Sequence, residues 1–309
     1  MKKSTLSRVL TIGLPTVLMS ACGSNALKNK LSLKIQGTEK GALSASSLNL
    51  ASAAGAKTVD IKDETGAVVG SLVITKAQVA LKEIEFESEE ELSLDTSLEG
   101  DSSTEVEDSF DFKGPYIVDL VTDTVSPELG FADLPPGIYK EIELKLDKVE
   151  GDELDEQGVQ LVDASDPLFG NSIYIEGTYT GPSSTGAQTD IPFKMSFALD
   201  EEFELSGPGA VSNGIDVSTS VDVIIAFRLQ KWFAFDSLET NSDGNLSPSK
   251  LIVQSGEIVL DDQASGDNDA IRDMIKENIK DSADYGEDKD DDGVLESDED
   301  DDEDDEDDD

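Results

Sequence analysis

Twelve residues near the C-terminal end, 288–299, read Asp-Lys-Asp-Asp-Asp-Gly-Val-Leu-Glu-Ser-Asp-Glu. A hard cation such as calcium takes six to eight oxygen ligands, and a tightly wrapped loop presents them from alternating positions. Asp288, Asp290 and Asp292 occupy positions 1, 3 and 5 of such a loop. Gly293 at position 6 permits the sharp turn, and Val294 at position 7 offers its backbone carbonyl. Glu296 stands at position 9, where a ligand acts directly or through water, and Glu299 at position 12 can close the site with both oxygens. Leu295 at position 8 is expected to pack inward and fix the loop to its support. Acidic tails produce Asp-x-Asp-x-Asp-Gly by chance, but Gly293, Val294 and Leu295 interrupt this acidic run where such a loop needs a glycine, a carbonyl and an aliphatic residue.

Over those twelve positions the segment resembles an EF-hand loop. Residues 300–309 are only Asp and Glu, so the exiting amphipathic helix of a paired EF-hand is missing. The same spacing also resembles the aspartate-rich calcium loops of thrombospondin type 3 repeats and dockerins. The expectation is therefore a solitary calcium loop, with a dissociation constant of about 10⁻⁴–10⁻³ M or weaker. A weaker second metal candidate comprises Asn241, Asp243 and Asn245 within 239–250. There Lys250 holds position 12, where a carboxylate belongs, and a turn built on Asp243 and Gly244 is the simpler reading.

Other chemistry is scarce. The chain has no histidine, which excludes a Ser-His-Asp triad and the common zinc sites. No Gly-rich phosphate loop is present, and among sixty-nine acidic residues a carboxylate pair carries no information about glycoside hydrolysis. A non-enzymatic protein is expected. The formal net charge of −46 makes nucleic acid and anionic lipid surfaces poor partners.

The N-terminal residues describe a destination. Lys2, Lys3 and Arg8 precede a short apolar run, 9–19, that ends in Met19-Ser20-Ala21-Cys22. This resembles the signal and lipobox of bacterial lipoproteins, although Met19 departs from the leucine usual three positions before the cysteine. The resemblance implies removal of residues 1–21 and lipid, such as palmitate, on Cys22. It also implies that Gly23, in place of an aspartate, directs the protein to the outer membrane. Loss of the signal would take the net charge to −49. Cys22 is the only cysteine, so no disulfide can staple the fold.

The elements that must position these residues are mainly strands. Ile142, Leu144 and Leu146 alternate with charged residues, Ile191, Phe193, Met195 and Phe197 alternate with Pro192, Lys194 and Ser196, and Val221, Val223, Ile225 and Phe227 share one face with Asp222 and Arg228 opposite. Alternation of this kind places one face of an antiparallel strand on a core. Nine or more strands are expected, with candidates at 31–36, 57–62, 67–75, 78–87, 115–121, 138–148, 171–180, 190–199, 215–229 and 251–260. The residues between 87 and 111 read as an acidic insertion. Behind a tether at 22–30, an antiparallel β-sandwich is expected, either one large unit or two adjacent units at 31–150 and 151–262, with a soft boundary at 151–166. An amphipathic helix follows at 267–283, with Asp267 as its cap and Ile271, Met274, Ile275 and Ile279 on one stripe. The calcium loop and a disordered acidic tail, 284–309, complete the chain. Residues 287–309 contain eighteen acidic residues and one lysine, a density that repels itself. An aromatic cluster, Trp232, Phe233 and Phe235, ends the strongest strand and either packs on the helix or forms a ligand shelf.

Three pieces, 77–84, 114–120 and 134–139, resemble exported bacterial lipoprotein domains with a transthyretin-like sandwich and no assigned function. The resemblance covers roughly 31–150 and carries over no functional residue. Three readings result: a calcium-binding lipoprotein, an interaction or adhesion module that binds a protein or glycan through its β body, and a carrier that holds an apolar ligand between sheets.

Overall fold

The computed structural model describes residues 29–38, 55–88, 109–134, 136–151, 160–205, 214–237, 240–241, 244–288 and 295. The leader at 1–21, Cys22 and most of the acidic tail lie outside these residues. The described chain is mainly β. Its strands are β1 (Asn29–Thr38), β2 (Lys57–Lys62), β3 (Val68–Ser88), β4 (Ser109–Asp119), β5 (Thr124–Ser126), β6 (Phe131–Leu134) and β7 (Ile138–Leu146). There follow β8 (Ile173–Ser183), β9 (Gly186–Phe197), β10 (Glu201–Glu204), β11 (Ile215–Asp216), β12 (Val221–Arg228), β13 (Ile258–Leu260) and β14 (Ala283–Glu287). Among the described residues two α-helices, α1 (Leu229–Trp232) and α2 (Asp267–Lys280), and a short 3-10 turn at Pro248–Lys250 interrupt the C-terminal part. No helix among the described residues is long and apolar enough to cross a membrane.

Two sheets result. The smaller has the order β14-β12-β1-β6. The larger runs β10-β7-β3-β8-β9-β13, with β2 and β4 also on β3, β5 on β4, and β11 on β7. Most pairs are antiparallel, but β1–β12 and β9–β13 are parallel. Leu31, Leu33 and Ile35 of β1 and Val223, Ile225 and Phe227 of β12 enter one apolar core with Leu81, Ile142, Ile175 and Met195 of the larger sheet. Ile271, Ile275 and Ile279 of α2 complete it.

Several boundaries differ from the sequence expectation. The two strands expected at 67–75 and 78–87 are one strand, β3. Its buried residues step by two through Leu72 and Ile74, through Ala77, Val79 and Leu81, and through Ile84 and Phe86. The three-residue jumps between these groups coincide with register shifts at Ile74/Lys76 and Leu81/Glu83. Each extra residue is a bulge that restores the inward phase, so a break in the period marks a bend and not an end. Asn29 and Lys30, expected in the tether, already pair with Leu134 and Asp133 of β6. The expected strand at 251–260 shrinks to β13. Of the residues expected in the tail, Asp284 to Glu287 belong to β14 and pair with Val223, Ile224, Ile225 and Ala226.

Strands on either side of 151–166 are hydrogen-bonded to one another. β3 pairs with β8 through Val79↔Ile173 and Ile74↔Gly177, β7 pairs with β10, and β1 pairs with β12. The stretches expected as two units therefore share both sheets. Beside that boundary, Val149, Val162 and Leu168 form a satellite cluster with Ala80, Ile117 and Tyr174. At the head of α2, Gly266 occupies the capping position with φ 67°, and no side chain caps it. Asp267 is instead the first helical residue, where it and Asp269 complement the helix dipole.

Candidate metal centre

The sequence loop begins where β14 ends. Antiparallel pairing with β12 sends Ala283 and Tyr285 into the core, so Asp284, Gly286 and Asp288 share the opposite face. The ladder continues one step beyond the strand, because Asp288 N donates to Asp222 O at 3.0 Å. Asp288 is thus held in register by the sheet before its side chain does anything.

That side chain is fully buried. Lys34 Nζ, from β1, reaches across β12 and donates to Asp288 Oδ2 at 3.0 Å. The lysine side chain keeps 46% of its exposure, so its stem crosses the sheet face while its end pairs with the carboxylate. Asp222 lies in the same row as Asp288 and presents a second carboxylate from the same face. On the other side of Gly286, Asp284 pairs with Arg228, and Lys231 Nζ stands 3.9 Å from it.

Between these two ion pairs the sheet face is apolar. Ile224 is paired with Gly286 and is fully buried, as is Ala226, although neither belongs to the main core. Leu295 lies here: a Cβ placed on Gly286 would come within 2.5 Å of Leu295 Cδ1. Seven residues of extended chain span about 23 Å. Leu295, seven positions after Asp288, nevertheless lies against a residue two positions before it. The first position of the sequence loop is therefore fastened to Asp222 and Lys34, and the eighth rests on β14.

Asp290, Asp292, Val294, Glu296 and Glu299 lie outside the described residues. The described part fits a hard cation in two respects: it supplies a buried carboxylate from a rigid strand, and it returns the chain at the aliphatic position. All the side-chain donors in the predicted set are carboxylates, the ligand type that calcium prefers.

The second candidate is a turn in its described portion. Asn241 is buried; its Nδ2 donates to Phe235 O at 2.7 Å and Leu246 O at 2.8 Å, and its Oδ1 accepts from Leu246 N at 3.0 Å. That oxygen is engaged with the backbone and not directed at an ion. Asn245 is exposed, and Asp243 lies outside the described residues.

A carboxylate cluster that sequence reasoning did not single out forms on the larger sheet. Asp111, Glu85, Glu143 and Glu204 stand in one row across β4, β3, β7 and β10, with Glu87 and Glu141 paired in the next. Ligand oxygens of Glu85, Glu87 and Glu143 lie within 4.8 Å of one another, a spacing that one cation can bridge. Burial pushes the Glu143 carboxyl up to about 7, assisted by its hydrogen bond to Glu202 and the negative charges of Glu202, Glu87 and Glu141. Glu202 is lowered by the same hydrogen bond and by Lys145. Strand alternation made Glu141 and Glu143 legible as outward-facing, but only the pairing of β3 with β7 brings them to Glu85 and Glu87.

The aromatic cluster is not an exposed shelf. Trp232 and Phe235 are buried, and Trp232 Nε1 donates to Ser282 Oγ at 2.6 Å, just beyond α2. An apolar void beside Tyr179, Phe193 and Phe233 has room for about one water. It offers no support for an apolar-ligand carrier. In comparisons with protein-family models, curated proteins and solved structures, no match to this chain was found.

Proposed function

We propose that this chain is a non-enzymatic, lipid-anchored cell-envelope β-sandwich protein that binds calcium through a solitary loop opened by Asp288. The observation that carries the reading is the double attachment of the loop, with Asp288 held by Asp222 and Lys34 and Leu295 seated on Gly286. A bare polyanion has no reason to return an aliphatic residue to the strand it has just left. In this reading Asp288, Asp290, Asp292, Glu296 and Glu299 supply carboxylate oxygens, and Val294 supplies a carbonyl. The bound cation neutralises part of the self-repulsion at the base of the tail. The lipobox at Cys22 supports attachment to the outer membrane, where calcium is plentiful enough to fill a weak site. The transthyretin-like resemblance of 31–150 belongs to the same proposal.

Calorimetric titration of calcium into the protein tests it. One site in the range of about 0.1–1 mM is expected, lost in Asp288→Ala and weakened at least tenfold in Glu299→Ala. Heat no greater than that of a scrambled acidic tail would refute the reading.

A second reading, an interaction module, is favoured by Phe131, which is 73% exposed on β6 at the edge of the smaller sheet. On this reading the β body captures a protein or glycan. Removal of 287–309 then leaves capture unchanged, whereas Phe131→Ser abolishes it.

A further inference from the structure

Phe131 is the most exposed large apolar side chain among the described residues, at 73%, and the only aromatic one so exposed. Ala132 and Leu134 of β6 enter the core, so strand alternation turns Phe131 and Asp133 outward. β6 is the last strand of the smaller sheet and pairs with the first residues of β1, Phe131 beside Ser32 and Asp133 beside Lys30. Lys30 Nζ lies over the Phe131 ring, 5.7 Å from its centre. A ring and a lysine so placed suit the boundary between lipid and water: the ring takes the apolar side, and the lysine stem carries its ammonium to the lipid phosphates.

This patch lies at the end of β1 where the chain arrives from Cys22. β1 begins at Asn29, seven residues after that cysteine. Seven residues reach no further than about 25 Å, and the headgroup layer takes up about 5–8 Å of that. Ser32, opposite Phe131, stands about 10 Å along the strand from Asn29. A chain anchored at Cys22 therefore enters its fold at the end that carries Phe131, within reach of the bilayer surface. At the other end of β1, Thr38 pairs with Arg228, α1 follows, and Ala234 bridges to Lys62, the partner of Val68. Val68, aliphatic and 57% exposed, thus lies at the opposite end from Phe131.

We propose that Phe131 and Lys30 form a membrane-contact surface, with the ring seated in the interface of the bilayer that holds Cys22, so that the contact fixes how the β body stands on the membrane. This rests on the lipid-anchor reading above. The net charge of −46 disfavours an anionic surface, so the fitting partner is a zwitterionic one of phosphatidylethanolamine and phosphatidylcholine.

The test uses the full lipidated chain in vesicles of those two lipids, with or without bromine on the upper acyl chains, where it quenches tryptophan fluorescence on contact. Trp232 is fully buried and supplies a constant background. Phe131→Trp is expected to lose about half of its added emission in the brominated vesicles, and Val68→Trp none. Equal quenching of the two variants, or quenching of neither, overturns the membrane contact. Flotation of the vesicles reports the anchor separately: the wild-type chain should rise with them, and Cys22→Ser should stay behind. Flotation without quenching in Phe131→Trp leaves the anchor standing and returns the ring to a protein or glycan partner. A wild-type chain that does not float, or a Cys22→Ser chain that floats equally well, removes the anchor and the inference with it.

Discussion

At Gly286 a missing side chain decides whether the C-terminal segment can lie against the sheet. Any Cβ there meets Leu295, so Gly286→Val should displace Leu295 while leaving the β14 ladder, which β-branched residues favour, in place. Calorimetry should show calcium binding weakened about tenfold, with little change in the Tm of the body. Unchanged affinity would mean that the seat of Leu295 does not matter to the loop. A second single-residue dependence lies at Ser282. Its hydroxyl accepts from Trp232 Nε1 and donates to Ile279 O at 2.6 Å, all within the interior. Ser282→Ala leaves a buried indole N–H without its acceptor and should cost about 1–3 kcal/mol in urea denaturation. Asn278 braces the same corner, donating to Trp232 O and Ala234 O, each at 3.1 Å.

At the scale of elements, β10 is a four-residue edge strand laid against an acidic face. Glu143 holds a proton at pH values where an ordinary carboxyl has lost it, and through that proton it bonds Glu202 of β10. The folded state therefore binds more protons than the unfolded chain between the ordinary carboxylate range and about 7. Stability from this group is greatest at the acid end of that window and is lost as pH rises through it. Glu143→Gln should remove most of that slope and stabilise the protein at pH 7.5 by about 1 kcal/mol after solvent screening. Urea midpoints at pH 5 and pH 7.5 check both claims; a slope equal to that of wild type would exclude Glu143 as its source. On the opposite side of β10, Glu201 pairs with Lys280 of α2, so this edge also fastens the helix that leads into β14.

For the molecule as a whole, the consequence is cooperativity. Residues from both sheets and from α2 enter one apolar core, and β3 carries partners from both halves of the chain. Unfolding followed by Trp232 fluorescence and by far-UV circular dichroism should therefore give coincident transitions. Ile225→Ala, in the middle of β12, should lower both together, by about 2–5 kcal/mol. Two separated transitions would favour the expectation of two adjacent units at 31–150 and 151–262.

Local chemistry and local period were legible in the sequence. Ile142, Leu144 and Leu146, or Ile191, Phe193, Met195 and Phe197, declare a half-buried strand by themselves, because a pleat turns alternate residues to one face. The proposed cation loop was read in the same way, from Asp288, Asp290, Asp292 and Gly293 at positions a few residues apart. Partners distant in sequence were not legible. β14 carries only Ala283 and Tyr285 as inward residues and is a strand because β12 accepts it as a neighbour. The rows that join Glu85 to Glu143, and the reach of Lys34 to Asp288 across 254 residues of sequence, exist only once register is set. Register depends on bulges at Ile74/Lys76 and Leu81/Glu83, which look in one dimension like the ends of strands. The sequence alone thus determined which residues have the right chemistry to hold a cation. Tertiary structure decided which of them is already held by a lysine, because only the sheet brings a charge from β1 to a carboxylate at the end of β14.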